Sequence, residues 1–126
     1  MKVLLDTHAL LWALTEKSRL SSRVKLLLPS AETWFSVVGV WEILTKVQVG
    51  KLSLPRPAGA FVMSKLSANG VQVLPVTVDH VLRLENLPLH HRDPFDRILI
   101  AQSLEENLPI VTSDPLFARY PVQLIW

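Results

Sequence analysis

The feature that most narrows the fold is an alternation: short apolar runs of strand length recur along the 126 residues, with helix-like segments between them. Lys2-Val3-Leu4-Leu5 ends in Asp6 and reads as a buried strand, because an apolar run without polar alternation calls for cover on both faces. Thr33–Ser36, Val71–Leu74 and Pro109–Thr112 are expected to be further strands, and Val122–Trp126 an edge strand. A helix follows Asp6 through about Leu14. Ser21 and Ser22 offer a cap to a second, in which Val24, Leu27 and Leu28 recur at helical spacing until Pro29 stops it. Ser36 caps a third that ends at Gly50, with an expected apolar face of Val37, Val40, Trp41, Leu44 and Val47. Ala58–Ser67, closed by Asn69-Gly70, and Asp79–Leu87, bounded by Pro88, supply two more. Asp93-Pro94-Phe95-Asp96 places Asp at a cap, Pro at the first helical position and a second Asp at the third, opening a helix that runs to Asn107. Repeated βα units imply an α/β chain with a parallel sheet and helices on both its faces.

Composition removes several function classes. At 49% hydrophobic residues the chain can bury a core, which excludes a disordered or collagen-like polymer. The absence of cysteine excludes a disulfide framework, a thiol nucleophile and Cys-type zinc or iron–sulfur sites, so any metal must bind through oxygen or histidine. Asp6 and His8 interrupt the first apolar run before signal-peptide length, and no stretch approaches the roughly 18 residues of a membrane span, so a soluble, cytoplasmic protein is expected. A net charge of +2 is only a mild basic bias toward a polyanionic partner.

The acids are more informative. In an open parallel sheet, functional groups gather beyond the carboxyl ends of the strands. Asp6 directly follows the first strand, Asp114 follows Ile110–Thr112 after one residue, and Glu42 lies one to two turns into a helix that starts at that edge. Asp96 sits in the first turn of a helix leading into its strand, so the sequence alone leaves its placement open. Converging carboxylates repel, and the usual remedies are a raised pKa or a bound cation, with oxygen-only ligands favouring magnesium or manganese. Each acid also has a structural role available: Asp93 and Asp96 as helix caps, Glu42 as a partner of Lys46, Asp114 as a turn residue before Pro115. Thr7, Thr112 and Ser113 are candidate supporting hydroxyls, and Arg92, Arg97 and Arg119 candidate phosphate contacts. His90 and His91 are adjacent and do not read as a joint metal site. Trp12, Trp34, Trp41 and Phe35 read as core or interface.

Four segments together carry a resemblance: Leu4-Leu5-Asp6-Thr7-His8-Ala9-Leu10-Leu11-Trp12, Ser36-Val37-Val38-Gly39-Val40-Trp41-Glu42-Ile43, Asp93-Pro94-Phe95-Asp96-Arg97-Ile98-Leu99-Ile100-Ala101-Gln102 and Val111-Thr112-Ser113-Asp114. In order and approximate spacing they resemble the PIN domain, most nearly the VapC-type toxins of VapBC toxin–antitoxin pairs. The resemblance spans nearly the whole chain and implies a single PIN-like domain over residues 1–126, a three-layer α/β/α sandwich around a central parallel sheet. It further implies a magnesium-dependent ribonuclease, with manganese as the substitute ion, whose catalytic acids are Asp6, Glu42, Asp96 and Asp114. Asp6, Asp96 and Asp114 would hold the metal, Glu42 would position or deprotonate water, and Asp96 would reach the acidic pocket. Implied partners are an RNA substrate, a cognate antitoxin protein and a second copy of the chain; no membrane partner is expected.

Competing classes are weaker. A phosphatase built on an aspartate after the first strand generally carries a second Asp two residues later, where this chain has His8. No Gly-rich loop follows any strand, which argues against a nucleotide-binding module. A non-catalytic module on the same fold, an RNA-processing nuclease outside a toxin system and a DNA-cleaving enzyme are the remaining alternatives.

Overall fold

The computed structural model describes residues 1–126. Five parallel strands form one sheet: β1 (Lys2–Leu5), β2 (Glu32–Ser36), β3 (Gln72–Leu74), β4 (Ile110–Val111) and β5 (Leu124–Ile125), in the spatial order β3-β2-β1-β4-β5. Six helices accompany them: α1 (Thr7–Thr15), α2 (Ser22–Leu27), α3 (Val37–Gln48), α4 (Ala58–Ala68), α5 (Val78–Arg83) and α6 (Pro94–Glu106). This is the expected three-layer α/β/α sandwich.

Strand alternation divides the core. Val3 and Leu5 point to one face with Phe35, Val111 and Ile125, where residues of α1 to α4 such as Leu10, Val24, Ile43 and Leu66 cover them. Leu4 and Ile110 point to the other face and pack with Leu99 and Ile100 of α6, together with Phe117 and Tyr120. As the central strand, β1 is covered on both faces, which its unbroken apolar run requires.

Strand order also fixes where a site can form. The chain moves outward from β1 through β2 to β3, then returns to lay β4 on the opposite side of β1. A crevice is expected beyond the carboxyl ends of β1 and β4, where that direction reverses.

The caps follow the sequence closely. Ser21 accepts from Val24 N, Ser36 from Val38 N, and Asp93 from Phe95 N and Asp96 N. Asn107, with φ of 56°, ends α6 in the left-handed conformation that its short polar side chain tolerates. Several elements are shorter than expected: α5 ends at Arg83 and gives way to a 3₁₀ turn over Leu84–Asn86, β3 begins at Gln72, β4 pairs only through Ile110 and Val111, and β5 only through Leu124 and Ile125.

The expected apolar face of α3 holds only in part. Val40 and Val47 are half-buried against the core, and the helix also buries Gly39, Glu42 and Ile43, whereas Val37, Trp41 and Leu44 are exposed. The tryptophan and phenylalanine group divides likewise: Phe35 is core, Trp12 and Trp34 are half-buried, and Trp41 faces solvent with its ring against Phe95 at 4.9 Å.

Gly39 explains the rotation. A Cβ there would lie 2.3 Å from Phe35 Cζ and 2.8 Å from both Cε atoms, so α3 meets β2 through a residue without a side chain. Gly39→Ala gains about 0.8–1 kcal/mol of helix propensity. Overpacking against a fully buried ring costs about 1–3 kcal/mol and outweighs that gain at so short a distance. A lowered melting temperature is expected in a thermal scan; an unchanged or raised one would show that Phe35 yields without cost.

Candidate active site

Leu5 pairs in register with Val111, so the residues beyond β1 and β4 emerge side by side. Asp6 caps α1 by accepting the Ala9 N–H at 2.7 Å on Oδ1, and its Oδ2 accepts a hydrogen bond from the Thr112 hydroxyl. Thr112 Oγ1 in turn accepts the Asp114 N–H at 3.0 Å. A single buried hydroxyl thus fixes both the Asp6 carboxylate and the backbone that carries Asp114. Asp114 accepts the Leu116 N–H at 2.9 Å and starts the 3₁₀ turn Pro115–Arg119, the turn role foreseen for it. Ser113 is exposed.

Glu42 points inward from α3 and is buried, although its side chain is acidic. Thr7 donates to its Oε1 at 2.6 Å, and Lys46 Nζ lies 2.8 Å from its Oε2. Pairing with Lys46 and membership of the acid group are therefore compatible, because each uses a different oxygen. Thr7, a candidate support for Asp6, acts on Glu42 instead.

Asp96 is the third residue of α6, and Asp93 occupies the capping position in front of it. With Thr7, Ser36, Glu42 and Phe95, Asp96 lines a small cavity at the carboxyl edge of the sheet. The loop before α6 returns the chain to that edge, which the sequence left open. Burial, followed by the negative charges of Asp93, Glu42, Asp114 and Asp6, pushes the Asp96 carboxyl up from 3.8 to about 7. Burial also raises Asp6, against the lowering effects of the Thr112 and Ala9 hydrogen bonds and of His8, while Asp114 raises it further. The four acids share one electrostatic neighbourhood.

The donor chemistry fits a hard divalent cation: the group offers carboxylate and hydroxyl oxygens, and its mutual repulsion is what a cation would neutralise. No three of the His, Asp and Glu side chains stand close enough together to hold one ion directly, and an ion such as Mg²⁺ ordinarily keeps waters beside one or two carboxylates.

The arginines separate. Arg92 and Arg119 are exposed. Arg97 donates to the Pro88 carbonyl at 2.8 Å and the Leu87 carbonyl at 3.2 Å, which commits its guanidinium to the loop before α6. His90 and His91 both pack edge-on against Tyr120, at 5.0 and 5.5 Å, but only His91 reaches the acids, its Nε2 lying 3.4 Å from Asp96 Oδ2. Sequence reasoning missed His91 and Tyr120 as neighbours of the acids. Both lie outside regular helix or strand, where no periodicity signals which side chains meet.

Fold and pocket together define a class: an α/β protein that gathers carboxylates at the switch point of a parallel sheet. The chain belongs to the PIN domain family, whose model matches residues 3–123. Among solved structures it is similar to VapBC2 from Rickettsia felis bound to a promoter DNA fragment, at 17% identity and a TM-score of 0.71, covering 99% of this chain and 98% of that one. VapBC-1 from nontypeable Haemophilus influenzae gives 18% identity and a TM-score of 0.72, covering 99% and 97%. FitAcB from Neisseria gonorrhoeae gives 18% and 0.66, covering 100% and 97%. No curated protein sequence matches. No helix is long and apolar enough to cross a membrane.

Proposed function

We propose that residues 1–126 form one PIN unit acting as a divalent-metal-dependent endoribonuclease, the toxin of a cytoplasmic toxin–antitoxin pair. The observation that carries this reading is Asp96: a carboxylate pushed up to about 7 in a cavity beside Glu42, within the fields of Asp6 and Asp114, at the edge where such folds bind ligands. The toxin assignment draws on the resemblance to VapBC and FitAcB structures over almost the whole chain.

Asp6, Asp96 and Asp114 would hold Mg²⁺, or Mn²⁺ in its place. When bound, the ion supplies charge stabilisation at the scissile phosphate and lowers the pKa of water. Thr112 keeps Asp6 in one orientation and ties the Asp114 backbone to it. Glu42, held at both oxygens by Thr7 and Lys46, positions the attacking water. Arg92 and Arg119, exposed and near the acids in sequence, are the candidate arginines available to RNA phosphates, and Ser113 is likewise exposed. Arg97 shapes the loop instead.

Two surfaces suit protein partners. A cavity of about 310 Å³ between α1 and α2, lined by Leu5, Leu10, Leu14 and Leu28 and rimmed by Lys17 and Lys25, suits an apolar segment of an antitoxin that also carries acids. The Val37, Trp41 and Leu44 face of α3 suits a second copy of the chain.

Purified protein stripped of any co-purifying partner is expected to cleave a panel of structured and single-stranded RNAs in Mg²⁺ or Mn²⁺ and to stop in EDTA. Cleavage that persists in EDTA would overturn the metal role. No cleavage across the panel, in either metal, would favour the non-catalytic module.

A further inference from the structure

Tyr120 is buried and sits at the end of the turn that Asp114 begins. Its phenolic oxygen accepts the backbone N–H groups of His90 at 3.1 Å and His91 at 3.2 Å, and Arg97 Nη1 approaches it at 3.5 Å. With its lone pairs taken, the phenol has one proton left to give. The acceptor within reach is His91 Nδ1, at 3.2 Å.

That bond fixes the tautomer of a neutral imidazole. Nδ1 accepts, so the ring proton lies on Nε2. The His91 side chain is only 10% exposed, and Nε2 is buried with no hydrogen-bond partner of normal length. A buried donor without a partner is costly, and the acceptor facing it is Asp96 Oδ2, 3.4 Å away. A small rotation of that carboxylate closes the bond. Edge contacts with Tyr120 and Phe117 hold the ring itself in place, at centroid distances of 5.5 and 6.0 Å.

We infer that His91 is a positioning residue for Asp96: aligned by the Tyr120 phenol, it donates its Nε2 proton to Oδ2 and sets the direction in which Oδ1 faces the acidic pocket. The inference rests on the proposed metal-binding role of Asp96. The same phenol links the two acid-bearing segments, since Tyr120 closes the turn capped by Asp114 while His91 precedes the helix that carries Asp96. An outer group that orients a carboxylate ligand in this way typically contributes about 10–100-fold in metal affinity.

Two measurements on the full chain test the role. In the metal-free protein, long-range ¹H–¹⁵N correlation spectra are expected to show the Nε2–H tautomer for His91 in the wild type and a loss of that preference in Tyr120→Phe. The Nδ1–H tautomer in the wild type would overturn the arrangement without reference to any metal or variant. Calorimetric titration with Mn²⁺ alone is then expected to give about 10–100-fold weaker binding for His91→Leu, recovery toward wild type for His91→Gln, whose amide can donate from nearly the same point, and no change for His90→Ala. Wild-type binding with an undiminished His91→Leu would overturn the positioning role and leave the metal reading standing. No Mn²⁺ binding by the wild type would overturn both. Should His91→Leu fail to fold, Tyr120→Phe carries the comparison, because it removes a single hydroxyl.

Discussion

Asp6→Asn is expected to lower RNA cleavage at least about a hundredfold, because even groups one layer removed from a metal contribute 10–100-fold and Asp6 is proposed as a direct ligand. The fold should survive the change. Asn keeps the Oδ1 acceptor that caps α1 through Ala9 N, and its amide can donate to Thr112 Oγ1 where the carboxylate accepted from it. Removal of the buried charge also relieves the desolvation that raises Asp6. Single-turnover cleavage assays paired with a thermal melt read both sides of this expectation. An active, folded Asp6→Asn would remove Asp6 from the proposed machinery, whereas an inactive and unfolded one would make the loss structural.

Asp96→Asn is expected to stabilise the metal-free protein above pH 7 while abolishing cleavage. The unfolded chain releases the Asp96 proton near 3.8, whereas the folded chain keeps it to about 7. Between those values the folded state binds more protons, so its stability is greatest at the acid end of the window and falls as pH rises through about 7. Above pH 7 the folded state carries the full cost of a buried, repelled carboxylate, on the order of 4 kcal/mol. Asn removes that cost and flattens the profile. The substitution also gives up the favourable placement of an acid in the first turn of α6, worth only about 0.3–1 kcal/mol. Urea unfolding in EDTA at pH 5 and pH 8 measures the difference. Mn²⁺ at about a hundred times its dissociation constant should restore roughly 2.7 kcal/mol to the wild type at pH 8 and little to Asp96→Asn. Wild-type stability that rises from pH 5 to pH 8 would contradict the placement of Asp96 among the other acids.

Much of this arrangement is legible in local sequence because it is made by local physics. The apolar run before Asp6, the serines before α2 and α3, and Asp93-Pro94 before α6 each act within a few residues, through strand burial, a capping hydrogen bond or a fixed φ. The order of βα units follows from them and implies a parallel sheet, which directs attention to acids at strand ends. Asp6, Glu42 and Asp114 are visible for that reason. Asp96 is visible as a helix-start residue, but its arrival at the same edge depends on how the loop after Pro88 closes.

The face of α3 shows where local reasoning stops. Hydrophobic spacing selects Val37, Val40, Trp41, Leu44 and Val47, of which Val40 and Val47 pack on the core, yet the helix turns Gly39 and Glu42 inward and leaves the other three exposed, because Phe35 needs a gap and Thr7 and Lys46 satisfy the buried acid. Apolar periodicity identifies a face that seeks cover without saying whether this chain or another supplies it. Arg97 is a parallel case: its positive charge suits phosphate, but two carbonyls of its own chain hold it.

By itself, then, the sequence determined the alternation of strands and helices and their caps, since each rests on contacts between residues close in the chain. Only the tertiary structure decided which hydroxyl serves which carboxylate. Thr112 meets Asp6 across 106 residues, Thr7 meets Glu42 across 35, and Tyr120 meets His91 across 29. Such pairs form because the strand order β3-β2-β1-β4-β5 lays distant segments side by side, and no periodicity along the chain encodes that order.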